Sequence, residues 1–164
     1  MGNTQKQRCN VGIDKDGTKR YYVNKVLHRE DGPAVKRADG TTCWYKHGSL
    51  HREGGPAIER MNGAKEWYKN GLLHRENGPA IENSQGYKAW WIEDTRHRID
   101  GPAVEWHDGY KAWYVNGKRH REDGPAVERP NGNKDWYLNN KFYGYNNEFT
   151  NELWQKFIKT IIFS

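Results

Sequence analysis

The sequence predicts an all-β fold of β-hairpin units repeated in tandem and closed at the C-terminus by one α-helix. Three observations carry this. The stretch His-Arg-x-x-Gly-Pro-Ala is written five times, from His28, His51, His74, His97 and His120, at a constant spacing of 23 residues. Turn dipeptides and aromatic pairs recur at the same period. The last twenty or so residues abandon that period for helical spacing. A fixed period in this range marks an array in which each unit buries its apolar surface only against its neighbours.

Residues 1–15 are polar and lie outside the period, and they read as a leader or a frayed first strand. The register begins at Asp16-Gly17 and runs as six units to residue 144. Its turn signal returns at Asp39-Gly40, Asn62-Gly63, Gln85-Gly86, Asp108-Gly109 and Asn131-Gly132. Asp-Gly and Asn-Gly suit the two-residue type I′ turn, whose central residues both need positive φ. Four residues after each Gly comes an aromatic pair, Tyr21-Tyr22, Trp44-Tyr45, Trp67-Tyr68, Trp90-Trp91, Trp113-Tyr114 and Trp136-Tyr137. A second turn follows, clearest at Asn70-Gly71 and Asn116-Gly117, then a short strand ending in His-Arg, then the Gly-Pro loop. Proline cannot donate to a ladder, so that loop interrupts pairing.

With two-residue turns, Ile58 is expected opposite Trp67, and Trp67 opposite His74. Alternation then places Ile58, Trp67 and His74 on one face and Ala57, Tyr68 and Leu73 on the other. The Val/Ile, Trp and His rows are the expected core. After residue 144, Phe149, Leu153, Trp154, Phe157, Ile158, Ile161 and Ile162 form one helical stripe, expected from near Asn147 or Thr150 to Phe163. This helix, within residues 145–164, reads as the cap that covers the open end of the array. An interfacial membrane helix is the rival, weakened by a polar face whose only basic residues are Lys156 and Lys159.

The composition fits a thin repeat core. Mean hydropathy is −1.19 and only 34% of residues are hydrophobic, but 13% are aromatic. The net charge of +6 is moderate, and acidic residues are plentiful enough for a mixed-charge surface. Cys9 and Cys43 make no disulfide framework, which points to a reducing compartment and a cytoplasmic location. No signal peptide or membrane span is visible in the sequence, and Lys6 stands where a myristoylation start needs Ser or Thr.

Trp113-Tyr114-Val115-Asn116-Gly117-Lys118-Arg119-His120, with the later Asn131-Gly132, resembles the MORN-type repeat. The five-fold His-Arg-x-x-Gly-Pro-Ala stands where that family carries His-Gly-x-Gly, and is similar to variant repeats of phages, giant viruses and some bacteria. The resemblance covers about residues 16–144. It implies an elongated, twisted antiparallel sheet of hairpins, interaction roles, membrane association in some relatives, and no catalytic residues.

The His-Arg-acid clusters could suggest metal ligation or acid–base chemistry. Comparison among the units argues otherwise. The two acid positions read Glu-Asp, Glu-Gly, Glu-Asn, Ile-Asp and Glu-Asp, so neither carboxylate is required, whereas His and Arg never change. A His in every layer is expected to be structural, and no nucleophile–base pair, metal or cofactor site is expected. Lysines recur at Lys19, Lys65, Lys88, Lys111 and Lys134, and glutamates at Glu59, Glu82, Glu105 and Glu128. Charge pairing between these rows is the favoured reading. A track for nucleic acid or anionic lipid is the alternative.

Function is expected where the repeat breaks its own pattern. The fourth unit departs most, at Trp91, Glu93, Asp94, Arg96, Ile99, Trp106 and His107. Glu93-Asp94 replaces the Asn-Gly turn, and Arg96 replaces the Leu expected opposite residue 91, which sets up a cation–π pair. Exposed Trp and Arg are enriched in binding hot spots. The expected role is a non-catalytic scaffold that binds another protein. In a phage or viral chain that protein is a host or defence factor met in the host cytoplasm.

Overall fold

A computed structural model of the chain describes residues 9–162. Its main feature is one open antiparallel sheet of thirteen strands in a row, with Val26–Leu27 paired to the second strand as a side hairpin. From Val35–Lys36 onward the sheet meanders through the two-residue strands that flank each first turn, such as Ile58–Glu59 and Lys65–Glu66. It ends on the longer strands Lys134–Leu138 and Lys141–Tyr145. A second row of hairpins runs alongside: Tyr45–Lys46 with Ser49–Leu50, Tyr68–Lys69 with Leu72–Leu73, Trp91–Ile92 with Thr95–Arg96, and Tyr114–Val115 with Lys118–Arg119. Each hairpin is sewn to the next by two backbone bonds. Arg52 N donates to Tyr68 O (3.4 Å) and Gly71 N to Leu50 O (2.8 Å).

The second turn of each unit has the expected type I′ geometry. Asn70 and Gly71 sit at φ 52° and 88°, and Tyr68 opposes Leu73. The first turn does not. Only its glycine has positive φ (Gly63 at 81°), and Arg60 N donates to Ala64 O around a three-residue loop. Where Asp or Asn precedes the glycine, its side chain accepts the N–H two residues on, as in Asp39 with Thr41 (2.8 Å) and Asn62 with Ala64 (3.1 Å).

That extra loop residue shifts the register by one, so Ile58 opposes Glu66 and not Trp67. A one-residue slip moves a strand's side chains to the other face. Ile58 therefore packs with Val35, Cys43, Tyr45, Leu50 and Tyr68, on the tyrosine side. The expected Trp core is corrected accordingly. Trp44, Trp67, Trp90 and Trp113 are half-buried on the opposite face, and of the repeat tryptophans only Trp136 is fully buried. The fully covered rows are the motif alanines, Ala34, Ala57, Ala80, Ala103 and Ala126, each 0% exposed.

Of the segment expected as leader or frayed first strand, residues 1–8 lie outside the described residues. Asn10–Ile13 form an edge strand on Lys19–Tyr22. At the other end α1 spans Asn151–Ile162, after a short 3₁₀ turn at Asn146–Glu148. Phe163 lies outside the described residues. Trp154 (0% exposed) and Ile158 of α1 pack on Trp136 and Leu138, and Trp154 Nε1 donates to Arg121 O at 3.2 Å. The helix does cover the last unit.

Candidate partner-binding site

Every residue of the repeated motif has a structural task. The histidine N–H donates to the Trp carbonyl of its own unit, as His74 does to Trp67 (3.0 Å). Its Nδ1 accepts an N–H from the next unit's second turn: His28 from His47 (3.0 Å), His51 from Asn70 (3.1 Å), His97 from Asn116 (3.2 Å) and His120 from Asn139 (3.3 Å). Four of the five histidines are thus staples between consecutive units, whereas His74 Nδ1 is buried and meets no donor among the described residues.

The arginine lies flat on the aromatic ring before it. Arg52, Arg75, Arg98 and Arg121 stack 3.8–3.9 Å from the ring centroids of Trp44, Trp67, Trp90 and Trp113. The motif glycine covers the guanidinium's second contact surface. A Cβ built on Gly55 would sit 3.0 Å from Arg52 Cζ, and one on Gly124 2.9 Å from Arg121 Cζ. Nη1 then reaches the proline carbonyl, as Arg98 does to Pro102 (3.0 Å), and the sheet's glutamate, as Arg98 does to Glu105 (2.9 Å). The alanine carbonyl accepts the Trp N–H, closing the unit at 2.8–2.9 Å from Ala57 to Ala126. Ring, guanidinium and glycine form a sandwich that shields the Trp rows from stacking partners.

The outer charges are also engaged in register. Glu59 opposes Lys65, Lys65 opposes Glu82, Glu82 opposes Lys88, and the alternation continues through Glu105, Lys111, Glu128 and Lys134. Directly opposed unlike charges stabilise the sheet from Glu59 to Lys134, whereas Lys19 opposes Lys36 in the first unit.

The fourth-unit departures do not form one patch. Trp91, Glu93, Asp94 and Arg96 share one hairpin. Arg96 opposes Trp91 with its Cζ 4.9 Å from the ring, which is the expected cation–π pair. Glu93 and Asp94 keep the type I′ turn at φ 49° and 58°, and Asp94 Oδ1 accepts Leu73 N–H at 2.7 Å. Ile99 is 77% exposed in the loop, on a cleft of about 690 Å³ shared with Trp113 and His120. Trp106 and His107 lie at the first-turn edge. Trp106 (43% exposed) is against Tyr87 at 4.5 Å, and His107 Cβ occupies the space beside Gly86.

Comparison by unit alone misses further members of the first group. Arg119 also stands where the first three units have Leu27, Leu50 and Leu73, a signal present in the sequence. Arg119 Nε donates to the Tyr114 hydroxyl (3.2 Å) and Nη1 reaches the Tyr137 hydroxyl (3.5 Å). The bond to Tyr114 raises its already high pKa. Inward carboxylates elsewhere are taken: Arg129 holds Asp135 by two bonds (2.7 and 2.6 Å), and Arg60 holds Glu66.

Cys43 is buried, and burial pushes its thiol pKa up, away from thiolate chemistry. Among the described residues no group of three or more His, Cys, Asp or Glu is placed to hold a metal ion. No described helix is long and apolar enough to cross a membrane. A scan against protein-family models finds no match, and no curated protein matches the chain.

Proposed function

We propose that this protein is a non-catalytic repeat scaffold that binds another protein through the fourth and fifth units. The observation that carries this reading is the division of labour among side chains. The recurring His, Arg, Lys and Glu rows are consumed in staples, sandwiches and a charge ladder, whereas the departures leave Ile99, Trp106 and Arg96 without those tasks. Apolar and aromatic groups on rigid elements are what interface hot spots are made of. Sandwiched Trp faces and a balanced outer ladder weigh against the alternative, binding to nucleic acid or anionic membrane. The resemblance to variant repeats of phages and giant viruses makes a host or defence protein the natural partner, met in the host cytoplasm.

The test replaces Trp91, Glu93, Asp94, Arg96, Ile99, Trp106 and His107 by the residues other units carry. The expected result is a retained melting temperature with partner affinity reduced by about 2 kcal/mol or more. Unchanged affinity would sink this assignment. Binding that weakens a thousand-fold or so between low and moderate salt would favour a phosphate partner instead.

A further inference from the structure

The hairpin row changes character halfway along the array. In the first three units its inward positions alternate tyrosine and leucine, Tyr22, Leu27, Tyr45, Leu50, Tyr68 and Leu73. From the fourth unit they read Trp91, Arg96, Tyr114, Arg119, Tyr137 and Phe142. The result is a ladder of rings with a guanidinium in each gap. Arg96 Cζ lies 4.9 Å from the Trp91 ring and 5.4 Å from Tyr114, Arg119 Cζ lies 5.3 Å from Tyr137, and Tyr137 meets Phe142 at 5.3 Å. The sheet beneath carries Ala89 and Ala112, small residues that leave room for the arginine stems.

Neither guanidinium makes an ion pair among the described residues, in contrast to Arg60 and Arg129, which face carboxylates. Arg96 Nε and Trp91 Nε1 are buried and meet no acceptor there. Buried donors of this kind are costly unless something accepts from them. A recess of about 440 Å³ opens beside Trp91, Arg96 and Tyr114, with Lys118 on its rim. Phe142 ends the ladder with half its surface exposed (51%).

We infer that this strip docks an extended acidic segment of the partner protein, with carboxylates seated on Arg96 and Arg119 and an apolar side chain on Phe142. The inference rests on the scaffold reading and names the partner's chemistry. Guanidinium planes fixed by rings suit the bidentate geometry of carboxylates. Two strands per unit set the cations about 10 Å apart, within the reach of side chains along one extended chain. Two cations are too few for a nucleic-acid track.

The experiment uses the full chain and a short oligoglutamate peptide as probe, read by intrinsic Trp fluorescence and by calorimetry. Oligothymidylate and phosphatidylserine-containing vesicles serve as competing anions. The variant Arg96→Leu/Arg119→Leu installs what the first three units carry, so it keeps the fold. Arg96→Lys/Arg119→Lys keeps the charge without the fork. Saturable binding of oligoglutamate, weakened about tenfold or more in both variants at unchanged melting temperature, is the expected outcome. Absence of saturable binding, or equal affinity in the Leu variant, overturns the acidic-segment strip and leaves the scaffold reading to the partner-affinity test. Tighter binding of oligothymidylate or vesicles than of oligoglutamate overturns both.

Discussion

Arg98→Ala tests the sandwich that repeats along the array. Arg98 contributes three interactions: the stack on Trp90 at 3.9 Å, the bond to Pro102 O at 3.0 Å, and the pair with Glu105 at 2.9 Å. The stack is worth about 1 kcal/mol in a half-buried setting. The bond from a charged donor to a carbonyl adds about 1.5 kcal/mol. The ion pair is roughly a third exposed on both sides (28% and 30%) and adds only about 0.5 kcal/mol. Their sum gives a loss of about 3 kcal/mol, measurable by urea unfolding. Arg98→Lys keeps the charge near Glu105 but cannot stack a plane between Trp90 and Gly101. It should lose about 2 kcal/mol. A Lys variant as stable as the parent would refute the sandwich and reduce Arg98 to a point charge.

Other expectations follow from single contacts. Gly55→Ala should cost about 1–2 kcal/mol, read by urea unfolding, because the new Cβ would press on Arg52 Cζ at 3.0 Å. Glu93→Asn should raise stability by about 1 kcal/mol, since residue 93 sits at φ 49° and Asn tolerates that region better than Glu. Trp154→Ala should cost about 3–5 kcal/mol in the melting of the last unit, because the fully buried ring seals it. Tyr68 is held up to about 12, by burial first and by Glu66 second, and ultraviolet titration should find it there. Its folded value lies above the unfolded value of 10, so its contribution is complete below pH 10 and is lost as pH rises through about 12.

Much of the architecture was legible from spacing. The period, the type I′ turns at Asn70-Gly71 and Asn116-Gly117, and the capping helix all follow from local rules. The first turn misled for a physical reason. Asp-Gly serves both a two-residue turn and a three-residue loop with glycine alone at positive φ, and sequence does not separate them. One residue of difference turned the tryptophans from core rows into sandwiches. The arginine's stacking on Trp was hidden because it depends on that register. The pairing of Trp91 with Arg96 was legible because it depends only on the second turn. Arg119 was equally legible, by the same comparison with Leu27, Leu50 and Leu73, but belongs to the fifth unit.

Residues that only build the array should be interchangeable between units. The most direct measurement is the melting curve of a chain in which residues 83–105 are replaced by residues 60–82. That frame carries Arg60 with its carboxylate Glu66, so no buried charge is stranded. Cooperative unfolding is expected within a few degrees of the parent, about the shift of 1 kcal/mol. Loss of cooperative unfolding, or a fall many times larger, would contradict it.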